Sequence, residues 1–130
     1  MGTRFLLDTN SVIYFVDGIL PTSARDFLKI ELSIEANLSV ISQIELLGWI
    51  PPQGKSLVPV ENFVSKTTIY PLSNAVVQKT IDIRRSRKIK LPDAIIAATA
   101  LVHNFTIISR NMSDFSGIAG LTCLDPFRDL

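Results

Sequence analysis

Arg4-Phe5-Leu6-Leu7-Asp8-Thr9-Asn10 is the stretch on which the fold turns. Three apolar residues, Phe5 to Leu7, end at a carboxylate and then at turn-forming residues. The pattern predicts a short buried strand that delivers Asp8 at its C-terminal end. Apolar residues at helical spacing follow at once, through Val12, Ile13, Phe15 and Val16. Open α/β sheets place their sites outside the carboxyl ends of the strands, which makes Asp8 a site candidate. The same Asp is a natural cap for the following helix or turn. The stretch alone leaves both readings open.

Working outward, the chain repeats this alternation. Gly18 to Thr22 is a loop, and Thr22 or Ser23 can cap a second helix that runs to about Ile34, with Phe27, Leu28 and Leu32 on one face. Residues 37–41 read as a second strand, and residues 42–48 as a short helix stopped by Gly48. Pro51-Pro52-Gln53-Gly54 breaks the pattern. An amphipathic helix over 57–64 and a strand over 68–72 come next. Ser73 or Asn74 then starts a helix through Val76, Val77, Ile81 and Ile83, which ends in the basic run Arg84-Arg85-Ser86-Arg87-Lys88. Residues 92–103 form a helix that is apolar nearly all round, hence buried, and its alanines permit close packing. Strands follow at 105–109 and 121–124. Strands alternating with helices imply a parallel sheet covered on both faces.

With 130 residues, one domain spanning 1–130 and a substantial core are expected. A hydrophobic fraction of 47% against 19% charged residues excludes a disordered chain. The net charge of +1 supplies no global basic field, so any contact with nucleic acid must rest on a local patch. Cys123 is the only cysteine, which excludes an intrachain disulfide and a cysteine-based zinc site, and His103 is the only histidine, which argues against a histidine-centred catalytic or zinc site. No apolar stretch reaches membrane-spanning length, and the N-terminus lacks signal-peptide and myristoylation patterns. A cytoplasmic protein without a membrane partner is expected.

Four acids, Asp8, Glu45, Asp93 and Asp114, fall near strand ends or in the first turn of the next helix. In a parallel sheet such places share one edge, so the four can meet in a single cleft. Carboxylates without His or Cys suit a hard cation, Mg²⁺ or Mn²⁺, of the kind that activates water and stabilises charge on a phosphoryl group. Each acid also has a local explanation. Ser42-x-x-Glu45 fits a capping box. Asp93 follows Pro92 in the first turn of a helix, where the dipole favours an anion. Asp114 lies in a turn-rich segment where Asp is ordinary. The cations Arg84, Arg85, Arg87, Lys88 and Lys90 suit a helix C-terminus, and equally a phosphate-contacting lip. Trp49 and Ile50 read as a core contact or a partner surface.

Taken in order, Leu6-Leu7-Asp8-Thr9-Asn10, Ile41 to Gly48, Lys90-Leu91-Pro92-Asp93-Ala94 through Ala100, and Ile107 to Phe115 make the chain resemble the PIN-domain family. Within it, the likeness is to VapC-like toxins of type II toxin–antitoxin pairs. Cys123-Leu124-Asp125-Pro126-Phe127 resembles the tail of many members. The resemblance implies a three-layer α/β/α sandwich with a central, mainly parallel sheet. It further implies a Mg²⁺- or Mn²⁺-dependent endoribonuclease that acts on RNA, is bound by a cognate antitoxin and forms a homodimer. Asp8, Glu45 and Asp93 match the family's three strongest acidic positions. Where many relatives carry another acid this chain has Asn111, so Asp114 is the expected fourth acid. Asn10, Ser109 and Asn111 are expected to support the ligands by hydrogen bonding, and Arg84, Arg85, Arg87 and Lys88 to contact RNA. Two other readings stand beside it: a PIN-like module that binds RNA or protein without cutting, and a phosphoacceptor receiver-like domain. The second is weakened because residues 106–109 lack a lysine.

Overall fold

The structure, a computed structural model, describes residues 2–130. The expected domain of 1–130 also includes Met1, which lies outside the described residues. Strand β1 (Phe5–Leu7) leads into helices α1 (Thr9–Val16) and α2 (Thr22–Ile34). Strand β2 (Asn37–Ser39) is followed by α3 (Val40–Leu47) and α4 (Val58–Ser65), and β3 (Thr68–Tyr70) by α5 (Asn74–Ser86) and α6 (Leu91–His103). Strand β4 (Thr106–Ile108), the short α7 (Met112–Phe115) and β5 (Cys123–Leu124) complete the chain.

The five strands pair in parallel throughout, in the order β3-β2-β1-β4-β5. The first strand is thus central, and its side chains alternate between two cores. Leu6 packs with Ile107, Val76, Ile83 and the buried face of α6. Phe5 and Leu7 pack on the other side with Leu38, Ile108, Val12, Leu28 and Leu46. That is the three-layer α/β/α sandwich, built from a period-two strand with both faces buried. Leu6 is fully enclosed, so Leu6→Ala should cost about 2–5 kcal/mol of stability.

Because the chain runs from β1 outward to β2 and β3, then returns past β1 to β4 and β5, the strand order reverses between β1 and β4. Neighbouring crossovers diverge at such a switch point and leave a crevice beyond the strand ends. Asp8 and Ser109 are the residues that immediately follow β1 and β4.

Local signals placed most helix ends. Ser73 Oγ accepts from Val76 N and caps α5, and α6 closes on Asn104 in the left-handed conformation, φ 60°. Two expected caps differ. The residue before α2 is Pro21, and Ser23 instead donates its hydroxyl to the Leu130 carbonyl, tying down the C-terminus. The capping box at Ser42 does not form. Strand β2 ends at Ser39, which caps α3 by accepting from Ile41 N, and this puts Ser42 inside the helix and fully buried. Glu45 is thereby free to point elsewhere. Among the described residues no helix is long and apolar enough to cross a membrane.

Candidate active site

The crevice predicted by the strand order is present as a cleft of about 260 Å³ lined by Asp8, Thr9, Asn10, Ile13, Glu45, Trp49, Asp93, Ile96 and Asn111. Three carboxylates and no cationic side chain face it. Each acid arrives from a different element: Asp8 from the end of β1, Glu45 from the second turn of α3, and Asp93 from the first turn of α6.

Asp8 is the fixed member. Its backbone N–H extends the sheet by donating to the Ile108 carbonyl. Oδ1 accepts from Ser11 N at 2.9 Å, so Asp8 does cap α1. Oδ2 accepts from Ser109 Oγ at 2.5 Å, across the switch point. Ser11 Oγ in turn donates to the Ile108 carbonyl at 3.0 Å, which locks α1 to β4. Capping and cleft-lining are therefore one arrangement, since each carboxylate oxygen has a second lone pair. Burial pushes the Asp8 carboxyl above its ordinary range, opposed by the Ser109 and Ser11 hydrogen bonds and reinforced by the charge of Glu45.

Glu45 is steered by Thr9, whose hydroxyl donates to Oε1 at 2.6 Å and lies 3.1 Å from Ser42 Oγ. Thr9 belongs to α1 and Glu45 to α3, so this bond joins the two helices at the mouth of the cleft. The sequence assigned Thr9 only to a turn. Its hydroxyl three positions before a buried Val12 carries no local signal of a partner in α3.

Burial first, then a hydrogen bond with Asp114 and the charges of Asp114, Asp8 and Glu45, push Asp93 up to about 6. Asn111 donates from Nδ2 to Asp114 at 2.8 Å and accepts from Ser113 Oγ at 3.1 Å, while its backbone N–H donates to Ser109 Oγ. A chain of hydrogen bonds thus runs from Asp8 through Ser109 and Asn111 to Asp114. Asn111, not Asp114, lines the cleft itself. Asp114 faces a neighbouring hollow with Arg84, Lys88, Ile89 and Lys90. An amide at 111 can donate to Asp114, which an ionised carboxylate there could not do.

The remaining expected residues divide. Asn10 stands on the exposed lip of the cleft, with no side-chain hydrogen bond among the described residues. Arg84, Arg85 and Lys88 are exposed. Arg87 is bound instead to the Ser113 and Ser116 carbonyls, at 3.2 and 3.0 Å, and staples α7 to the end of α5. Trp49 is half-buried, both a cleft wall and a core contact, and the strongly exposed residue of that pair is Ile50. Burial pushes the Cys123 thiol up to about 12, which leaves it protonated and unreactive.

A divalent cation would meet only oxygen donors here, the set that hard cations require. Among the described residues no three His, Cys, Asp or Glu groups stand close enough to form a ready-made cage. Glu45 is turned to Thr9. Mg²⁺ ordinarily uses one or two carboxylates and retains several waters. The residues fit such an ion, which would also relieve the mutual repulsion that raises Asp93.

Known proteins share this fold. The family model of the PIN domain matches residues 5–121. A chain of a toxin–antitoxin complex from Klebsiella pneumoniae is 28% identical with a TM-score of 0.71, covering 95% of this chain and 98% of that one. One from FitAcB of Neisseria gonorrhoeae is 25% identical with a TM-score of 0.76, covering 96% and 99%. VapBC2 from Rickettsia felis, bound to a DNA fragment from its promoter, shares the fold at 21% identity, with a TM-score of 0.77 and coverage of 94% and 98%. No curated protein matches the sequence. With the family model spanning nearly the whole fold and its acids gathered at the switch point, the chain belongs to the PIN domain family.

Proposed function

We propose that residues 1–130 form a single nuclease domain, a metal-dependent endoribonuclease that hydrolyses RNA phosphodiesters as the toxin of a toxin–antitoxin pair. The observation that carries this reading is the cleft at the β1/β4 switch point, lined by Asp8, Glu45 and Asp93 with no cation to neutralise them. The toxin–antitoxin complex that the chain resembles at 28% identity supports the biological role, and with it a cognate antitoxin as partner. The absence of a membrane-length helix among the described residues is compatible with action in the cytoplasm.

Asp8 and Asp93 would hold the principal Mg²⁺ or Mn²⁺, Glu45 would bind it directly or through water, and Asp114 would complete a second ion site or position water. Such an ion, when bound, supplies charge neutralisation at the phosphoryl group and lowers the pKa of water. The chain's own contribution is orientation. Ser11 and Ser109 fix both oxygens of Asp8, so it needs no reorganisation on binding. Thr9 holds Glu45 at the mouth, where the carboxylate can orient the attacking water and accept its proton. Ile13, Ile96 and Trp49 wall the cleft and lower its local dielectric. The exposed cations Arg84, Lys88 and Lys90, beside Asp114, can balance the charge of the RNA backbone that must approach three carboxylates. Arg85 is exposed on the same helix end.

Exposed apolar side chains on α3, Ile44 and Leu47, and on α5, Val77 and Ile81, support a second copy of the chain as a further partner. A second reading, a non-cutting RNA or protein binder, is favoured by Asn111 in place of an acid and by the open arrangement of the carboxylates. One experiment separates the two. Labelled RNA is incubated with Mn²⁺, with Mg²⁺ and with chelator, using the wild-type chain and Asp93→Asn. Cleavage that needs the ion and is lost in the variant supports the nuclease. RNA bound but left intact under all conditions supports the binder.

A further inference from the structure

The basic residues treated so far lie on the Asp114 side of the cleft. On the α1 side, the residue between Ser109 and Asn111 is Arg110, exposed, with both neighbours built into the acidic network. Its guanidinium lies 4.0 Å from the ring centroid of Phe127 and 5.8 Å from that of Tyr14. Those two rings meet edge to face, with centroids 5.4 Å apart. Tyr14 is one helical turn beyond Asn10 and adjacent to Ile13, both of which line the cleft.

The guanidinium of Arg110 therefore lies over Phe127 with Tyr14 beside it, while its N–H groups have no partner: among the described residues no carboxylate or carbonyl accepts from them, and it enters no ion pair. Arg128 in the tail and Arg25 in α2 show the contrast. Arg128 is bound to Asp129 through both Nε and a terminal nitrogen, and Arg25 donates to the Gly18 carbonyl. A stacked guanidinium has already lost part of its rotamer freedom and presents a rigid fork of donors suited to phosphate oxygens.

We propose that Arg110, laid on Phe127 and Tyr14, is a phosphodiester-binding residue that holds the RNA backbone on the α1 side of the cleft, opposite the cations of α5. This rests on the nuclease reading. An RNA strand entering an acidic cleft needs positive charge along its path, and Arg110 is a preorganised cation on that flank. The planar fork favours phosphate over a lone carboxylate only in degree, so an acidic protein segment is the competing ligand to be tested.

The test uses the full chain carrying Asp93→Asn, so that RNA is not consumed, together with Arg110→Gln, Arg110→Lys and Phe127→Leu in both that and the active background. Binding of a short fluorescein-labelled single-stranded RNA of mixed sequence is followed by anisotropy across a salt series. Removing one phosphate contact should weaken binding about five- to twentyfold and reduce the slope of log K against log salt by about 0.7. Arg110→Lys should keep the slope and recover part of the affinity. Phe127→Leu should weaken binding with the slope unchanged, because the charge remains and its platform is lost. In the active background the loss should fall on KM more than on kcat.

Unchanged RNA affinity and slope in folded Arg110→Gln, with wild-type cleavage intact, would overturn the Arg110 assignment and leave the nuclease standing. A weaker grip on a labelled oligoglutamate peptide, but not on RNA, would overturn it in favour of a protein ligand. A wild-type chain that neither binds nor cuts RNA would remove both readings together. If thermal melts show Arg110→Gln to be unfolded, Arg110→Lys and Phe127→Leu decide, and full wild-type affinity in both would sink the proposal.

Discussion

The two edges of the sheet place carboxylates beside strand ends in opposite electrostatic states. At the N-terminal edge Glu35, just before β2, accepts from Arg4 Nε at 3.1 Å on each oxygen. Arg4 in turn lies 4.8 Å over the Phe105 ring and is within 3.5 Å of the Tyr70 hydroxyl. The Arg4 hydrogen bond holds Glu35 below its ordinary range. At the C-terminal edge, Asp8 and Asp93 face Glu45 and Asp114 without a cationic side chain in the cleft, and both are raised. The first edge is electrostatically complete. The second carries uncompensated charge at a cost to stability, the pattern that marks functional sites.

The most direct way to break this contrast is to neutralise the second edge. Asp8→Asn or Asp93→Asn should fold and lose metal-dependent RNA cleavage by about 10³-fold or more. Wild-type turnover in either purified variant would show that the cleft is not the reaction centre. Binding of a cation should have its own signature. Millimolar Mg²⁺ or Mn²⁺ should raise the melting temperature of the wild-type chain and leave Asp8→Asn nearly unmoved, since only a ligand of the native state stabilises it. Equal shifts in both would place the ion elsewhere.

Thr9→Val tests orientation rather than charge. With the hydroxyl gone, Glu45 should wander, and metal affinity or activity should fall about 10- to 100-fold at unchanged overall fold. Calorimetric Mn²⁺ titration beside the RNA assay measures both. An effect on neither would reduce the Thr9–Glu45 bond to a helix–helix contact.

The two edges should also respond to pH with opposite sign. Between the ordinary Asp range and about 6, the native chain binds more protons at Asp93 than the unfolded chain does, so rising pH removes stability across that window. In chelator, Asp93→Asn should melt like the wild type near pH 4 and above it at neutral pH. Mg²⁺ should abolish or reverse that advantage. At Glu35 the folded value is lowered, so its contribution is present above the ordinary Glu range and lost as pH falls from there through the lowered folded value. Because the Arg4–Glu35 pair is exposed, Glu35→Gln should shift the melting temperature by only about a degree or two and leave cleavage untouched. A large loss of activity in that variant would dissolve the distinction between the edges.

Much of this site was legible before folding, and the limits are instructive. Phe5-Leu6-Leu7 ending at Asp8, and Pro92-Asp93 opening an apolar helix, are local patterns, and the structure keeps both at their expected places. Ser42-x-x-Glu45 satisfied a local rule equally well and did not obey it. Strand β2 pairs with β3 only as far as Ser39, so the cap fell there and Glu45 was left to Thr9. Arg87 looked like its basic neighbours until α7 folded beneath it and offered two carbonyls. Asn111 and Asp114 could not be ordered from sequence, because which of them lines the cleft depends on the turn that α7 makes after β4.

By itself, the sequence determined most elements, their burial and a set of candidate acids. Alternation of apolar segments at strand and helix periods is a property of neighbouring residues, and an oxygen-only set of acids follows from composition. Only the tertiary structure decided that β1 lies between β2 and β4, because strand order is settled by long-range pairing that no local period encodes. That single choice opens the crevice, sets Ser109 against Asp8, brings α3 and α6 to its mouth, and turns three separated carboxylates into one cleft.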